Sequence, residues 1–520
     1  MPSNLTAVAE VGGSLKQVQQ AFQAYQVARN QFVNSISGFL ERKDTGNVIM
    51  EALMKNDVMA VLCCPLAQDP IPGIQSLSLS CLGKLSAADP LLSQVVVSCG
   101  VLDSVVTSLS HESPPVQTAA DSVLSSVARN SSEFAHRIMT SGALPALLYQ
   151  LHSSSTPPSV KEGAVRALDS LIRSSVEHAN VICNGELLST LVALMLNPGS
   201  PHTLCKAIVG ALGNIAACSP KLAEAVVQQK ALDPLTRMVR GTLTPPDLKA
   251  AALNCLSQLC VHHEELANQV ANTGVVQSTV QALTDKMTPS IRRNAAALLL
   301  QMVQKTPELA AVVSSTGAPG CLKQFMVLEQ GHIEGTLTGL MIAGSMSSYN
   351  MTIAKAIVES GAGAEVVAAI SNTDASISGT AAWAVEQAIH HSDETAMPLI
   401  QQGALQQLMS TYIRSKQSEA LRSKLKSSIK ATIRSCNATG PLETFVAKET
   451  PPELSKHLLA RLVTLLQVGP KARQQLVTSG ALARLQEALP GLDPKGRQHA
   501  EAIQALFPPD VVAYYAQGKQ

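Results

Sequence analysis

Ile138-Met139-Thr140-Ser141-Gly142-Ala143-Leu144-Pro145-Ala146-Leu147-Leu148 decides the reading of this chain. An apolar pair is followed by two small polar residues, a glycine and a fresh apolar run. A glycine so placed can take the left-handed turn that stops one helix, and the run beyond it starts another. The phrase occurs upstream as Val95-Val96-Val97-Ser98-Cys99-Gly100-Val101-Leu102 and downstream as Val181-Ile182-Cys183-Asn184-Gly185. It recurs around Gly274, Gly317, Gly361 and Gly403. Two copies hold the register without glycine, one at Asp57 and one at Lys230. Successive anchors from 57 to 403 lie 42 to 45 residues apart. A period of about 40–47 residues marks helical armadillo or HEAT arrays.

Each period holds material for three helices. A short helix ends at the glycine and a second begins at once. A polar, proline-bearing loop follows, as at Pro114-Pro115, Pro157-Pro158, Pro201, Pro245-Pro246 and Pro289. Proline is tolerated in a first helical turn and blocks continuation of the helix before it. A third, longer helix then occupies 160–172, 248–260 or 291–303. In the last of these Ile291, Ala295, Leu298, Leu299 and Met302 recur at helical spacing. The sharp turn between the first two helices favours armadillo over HEAT. The expected fold is therefore all-α, an armadillo-repeat right-handed superhelical solenoid of three-helix units. Residues 1–45 read as an N-terminal capping helix region containing the Gln-rich stretch 15–42. Residues 46–435 read as the repeats, and 436–520 as degenerate C-terminal helical repeats and a tail. After Gly403 the phrase next returns at Gly480, so one repeat is degenerate or replaced.

The bulk properties agree. At 520 residues the chain exceeds the roughly 250–300 residues at which single cores stop growing. Aromatic residues are only 3%, with one tryptophan, so the core rests on Ala, Leu, Val and Ile. Lys plus Arg is 39 against 38 Asp plus Glu, which gives no global pull toward nucleic acid or an anionic membrane. Eleven cysteines without a CxxC pair read as reduced, mostly buried thiols. The first residues lack the basic start and apolar run of a secretory signal. No uninterrupted apolar stretch reaches membrane-spanning length.

Chemistry is sparse. His262-His263 and His390-His391 invite a metal reading, but adjacent helical residues diverge by about 100° and do not converge on one ion. No phosphate-binding loop, nucleophile elbow or HExxH motif occurs. The expectation is a chain that is not an enzyme and carries no catalytic, metal or cofactor site. The candidate partner-binding residues are the basic set Arg414, Lys416, Arg422, Lys424, Lys426, Lys430 and Arg434, interrupted only by Glu419. They form either a solvated helix face or a patch for an acidic protein surface such as tubulin; stacking aromatics for nucleic acid are few. Trp383, with Gln387 one turn on, is either core or groove lining.

Beyond the repeat, several phrases carry a resemblance. They are the N-terminal stretch 20–33 (QAFQAYQVARNQFV), Thr306-Pro307-Glu308-Leu309-Ala310 and Pro451-Pro452-Glu453-Leu454-Ser455-Lys456-His457. Lys471-Ala472-Arg473, Val477-Thr478-Ser479-Gly480 and Val511-Val512-Ala513-Tyr514-Tyr515 complete the set. Together they resemble the sperm-associated antigen 6 family, armadillo proteins of the axonemal central apparatus. The resemblance implies a cytoskeletal location in the cytoplasm of cilia and flagella. It also implies a scaffold on the C1 microtubule that holds projection proteins and supports motility. Its partners would be tubulin, other central-apparatus proteins and other armadillo-family members, with neither nucleic acid nor membrane. The family's AAWALG-like third helix is approached only at Ala381-Ala382-Trp383-Ala384, which marks a divergent paralogue and leaves open a radial spoke or another axonemal site. The alternative is a soluble cargo adaptor that binds extended peptides. Such receptors line their groove with a ladder of Trp and Asn. Here the ladder positions hold one Trp, Trp383, and one Asn, Asn214, in different repeats.

Overall fold

The left-handed turn expected at the repeat glycine is the hinge on which the helices fold back. In the computed structural model, which describes residues 3–41, 58–415 and 418–516, Gly142 has φ +83°. It separates helix Ser132–Thr140 from helix Ala143–His152. Gly100, Gly274, Gly317, Gly361, Gly403 and Gly480 also have positive φ. Lys230 holds the turn at φ +61°, although the left-handed conformation costs a residue with a Cβ about 1–2 kcal/mol. The anchor Asp57 lies outside the described residues. Gly185 departs from the expectation. The helix before it, Val176–Ile182, is short, and the chain turns through Cys183 and Asn184 instead. Asn184 Oδ1 accepts the Leu187 N–H at 2.8 Å, so Gly185 is the first residue inside the next helix. The bend stays sharp there, at 77°, against 87° between helices Pro90–Ser98 and Leu102–Ser108.

Six of the first helices begin with side-chain caps. Asp89, Ser131, Ser175, Ser219, Thr306 and Asn350 each accept a backbone N–H two or three residues on, a device worth about 1 kcal/mol each. This repeat-spaced capping signal is a second register mark beside the glycine.

The N-terminal helix and the long third helices order the chain. They are α1 (Ser3–Leu40), α2 (Pro72–Ala88), α3 (Pro114–Asn130), α4 (Pro158–Ser174), α5 (His202–Cys218) and α6 (Pro246–Leu259). Then come α7 (Pro289–Val303), α8 (Ile333–Tyr349), α9 (Ala375–Ile389), α10 (Glu419–Ser435), α11 (Pro452–Val468) and α12 (Pro494–Gln504). The chain divides into two compact units, Met1–His262 and His263–Gln520. In the first, α2 packs on α3, α3 on α4, α4 on α5 and α5 on α6. In the second, the same stacking runs from α7 through α12. Small residues permit the close approach. A Cβ on Gly213 of α5 would sit 3.2 Å from the Cys255 Cα of α6.

The ends differ from the middle. The second half of α1 carries the buried Val33 and Ile36, and the helix packs on α2. Between α10 and α11 a single four-residue helix, Gly440–Glu443, stands where other repeats have two helices. Among the described residues no helix is long and apolar enough to cross a membrane.

Candidate partner-binding surface

A cavity of about 700 Å³ in the second unit opens over the third helices. Its floor follows from one small residue. Gly344 of α8 has no side chain, and the Trp383 indole of α9 lies where one would be. A Cβ there would come within 2.3 Å of the ring. The half-buried Trp383 is thus held by the preceding helix while it also lines the cavity. Gln387 lies one turn along α9 on the same wall. Thr380, Gln304, Ser423 and Ser427 add further polar groups. The one acid, Glu386, already accepts hydrogen bonds from Ser427 Oγ at 2.8 Å and Ser428 Oγ at 3.0 Å. Lys424 lines the opening, its aliphatic stem against Gly379. The wall is therefore an aromatic face with amides, hydroxyls and a cation, a set suited to a polypeptide segment.

The seven basic residues do not form one patch. Arg414 ends helix Ala404–Arg414 and donates to Thr411 Oγ1 at 3.3 Å. Lys416 lies outside the described residues. Arg422 and Lys426 are on α10 and share an acid from α11. Arg422 donates to Glu453 at 3.2 Å, and Lys426 donates at 2.5 Å. Arg422 also stacks 4.7 Å over the Tyr412 ring, whose hydroxyl donates to the same carboxylate. The hydrogen bonds from Lys426 and Tyr412 hold the Glu453 carboxyl below its ordinary range. Lys424 faces the cavity, on a different side of α10. The charges of Lys430 and Arg434 act on a group of α11 that lies outside the basic run. His457 is pushed below the usual imidazole range by burial first, then by Lys430, Lys456, Arg434 and Lys426. So α10 and α11 build a cationic face on which, among the described residues, Glu453 pairs with Arg422 and Lys426, and Asp493 lies 3.4 Å from Lys456. No local signal could have found it, because Lys456 and His457 lie in a different repeat.

The histidine pairs have a structural use. His262 Nε2 donates to the Ala216 carbonyl at 2.8 Å, and His391 Nε2 to the Ser347 carbonyl at 2.6 Å. In each case the acceptor lies on the preceding third helix. Among the described residues no three His, Cys, Asp or Glu side chains come together as metal ligands. Burial raises the Cys183 and Cys255 thiols to about 12, which suits unreactive core groups.

A short helix, a tight left-handed turn, a second helix and a long stacked third helix, repeated about every 43 residues, define an armadillo-type repeat solenoid. No family model matches the chain. It is similar to sperm-associated antigen 6 of Homo sapiens and of Mus musculus, at 32% identity over 142 residues in each case. That match takes in 27% of this chain, and it spans 28% of the length of either relative. Among solved structures, an engineered protein superposes with a TM-score of 0.63 at 18% identity, over 87% of this chain and 98% of its own. That likeness bears on the fold alone.

Proposed function

We propose that this chain is a non-catalytic scaffold of the ciliary or flagellar axoneme, seated on the C1 microtubule of the central apparatus. In this role it holds projection proteins in place and supports the beat. The observation that carries the reading is the 142-residue match to sperm-associated antigen 6, set beside a fold whose exposed helix rows suit the gripping of polypeptides. The Trp383 cavity would take an extended segment of a neighbouring axonemal protein. The α10–α11 face would take an acidic surface such as that of tubulin. The test is fractionation of axonemes followed by cryo-electron microscopy. Density for this chain on a central-pair microtubule supports the proposal. Density on a doublet or spoke keeps the scaffold and moves its address. Recovery of the chain in the soluble fraction alone overturns it.

A second reading, a soluble adaptor for extended peptides, is favoured by Trp383 and Gln387 sharing one cavity wall. A peptide-array screen against the wild type and Trp383→Ala, joined to the axoneme fractionation, separates the two. Sequence-selective binding lost with the indole, in a chain recovered only in the soluble fraction, supports the adaptor.

A further inference from the structure

Eight prolines of this chain follow a serine or a threonine. In four of these pairs the hydroxyl is already spent. Ser219 and Thr306 cap first helices, accepting the Leu222 N–H at 3.3 Å and the Leu309 N–H at 3.2 Å. Ser200 Oγ donates to the Leu194 carbonyl at 2.7 Å, and Thr450 Oγ1 to the Phe445 carbonyl at 2.7 Å. The other four, Ser113, Thr156, Thr244 and Thr288, stand in the loops that lead into α3, α4, α6 and α7. Ser113 and Thr288 hold the cap position without capping, and Thr156 and Thr244 lie one residue before it. Among the described residues none of these four hydroxyls has a hydrogen-bond partner, and solvent reaches each of them. A hydroxyl that does not cap supplies none of a cap's stabilisation, so helix stability does not account for them.

The loops also present the residues around these hydroxyls. Leu243, just before Thr244, is 96% exposed, and Met287, just before Thr288, is 90% exposed. Glu112 and Ser155 stand exposed at the same place in their loops. A residue ahead of proline is driven into extended backbone. Ser113 accordingly has φ −87° and ψ 115°, and Thr288 has φ −122° and ψ 93°. An open, extended hydroxyl followed by proline is the form in which a proline-directed protein kinase takes its substrate. We propose that Ser113, Thr156, Thr244 and Thr288 are phosphorylated by a kinase of that class. The hydroxyl oxygen attacks the γ-phosphorus of ATP, the bond to the β,γ-bridging oxygen breaks, ADP leaves, and the hydroxyl proton passes to the kinase's base. Each product carries a charge of about −1.5 to −2. It lands beside the first turn of a third helix, where the macrodipole favours an anion. The first turns of α3, α4 and α7 hold no acid to repel it, and Asp247 of α6 is paired with Lys206 at 3.1 Å. The modification therefore changes the surface offered to partners and leaves the helices in place. It does not depend on the axonemal address.

The experiment incubates the native full chain, and synthetic peptides spanning each of the eight pairs, with a purified proline-directed kinase and ATP. Mass spectrometry then maps the phosphate. The expected result is uptake by all the peptides, and by the native chain at Ser113, Thr156, Thr244 and Thr288 alone. In Pro157→Ala, uptake at Thr156 should be lost while uptake at Thr244 is kept, and far-UV dichroism of the modified chain should match that of the unmodified one. A native chain that leaves the four unmodified, or takes phosphate equally at Ser219, Thr306 and Thr450, overturns the proposal. So does uptake at Thr156 that survives Pro157→Ala, or a loss of helix on modification.

Discussion

Asp121 of α3 is fully buried, and neither of its carboxyl oxygens has a hydrogen-bond partner. It sits against Gly163 of α4, where a Cβ would come within 2.6 Å of Oδ2. Burial raises its pKa well above the ordinary carboxylate range, against a smaller opposing pull from Gln150. Gln150 Oε1 also lacks a donor. A proton kept on Asp121 lets the acid donate to that oxygen and relieves both groups. The raised folded-state pKa fixes the sign. The carboxyl's contribution is fully present below its unfolded pKa and is lost as pH rises toward the folded value. Asp121→Asn is neutral at all pH and keeps a donor. Because it takes up no proton on folding, it should be more stable than the wild type near neutrality, by up to about 1.4 kcal/mol for each pH unit above the unfolded pKa. Urea titrations at acidic and neutral pH should show the difference growing with pH; a variant weaker than the wild type at neutral pH would refute the account. Lys230 offers a simpler case. Lys230→Gly should stabilise by about 1 kcal/mol by removing the Cβ from a left-handed residue. Gly317→Ala, at φ +85°, should destabilise by a similar amount. Equal midpoints for all three proteins would mean that the turn is not strained.

At the scale of elements, neighbouring third helices are joined by contacts that recur once per repeat. Asn130 Nδ2 donates to the Ser86 carbonyl at 2.6 Å, and His262 and His391 reach back in the same way. The sequence shows the histidines as doublets, which suggests a metal. In the second doublet the packing shows why His391 reaches back and His390 does not, since His390 points to solvent with Glu386 4.0 Å away. His391→Ala should cost about 1 kcal/mol, while His390→Ala should stay near zero, as an exposed pair does. Equal losses would mean that the carbonyl bond contributes nothing of its own. The contact between α8 and α9 is tighter still. In Gly344→Ala the new methyl meets the indole of Trp383, and the ring must leave its seat at about 1–3 kcal/mol. Because Trp383 is the sole tryptophan, its emission reports the displacement without interference, and it should shift to the red. An unshifted spectrum with unchanged stability would show that the ring is not held by α8.

Over the whole molecule, what was legible was what repeats. The glycine phrase and the proline loops are local, so they announce the three-helix unit directly, and the Gly185 exception arises only because Asn184 caps a helix one residue early. The site was less legible because it depends on which repeats meet. Seven cations read as one run, yet Glu453 from α11 neutralises part of it, Lys424 turns to the cavity, and His457 joins the rest. Trp383 was ambiguous because a half-buried ring is both packed and exposed, and only the position of Gly344 resolves it. The same quasi-one-dimensional construction governs stability. When each repeat touches only its neighbours, a lesion acts locally and propagates weakly. Leu124 is fully buried on α3, in the first unit, and Leu124→Ala should remove about 2–5 kcal/mol there. Trp383 reports the second unit alone. In urea, the far-UV dichroism transition of Leu124→Ala should broaden and begin earlier than in the wild type, while the fluorescence midpoint of Trp383 stays in place. Separate midpoints by two probes signal departure from two-state unfolding, and here they would assign the departure to the array itself. If both probes move together by the same amount, the chain unfolds as one cooperative block and the nearest-neighbour account of its stability is wrong.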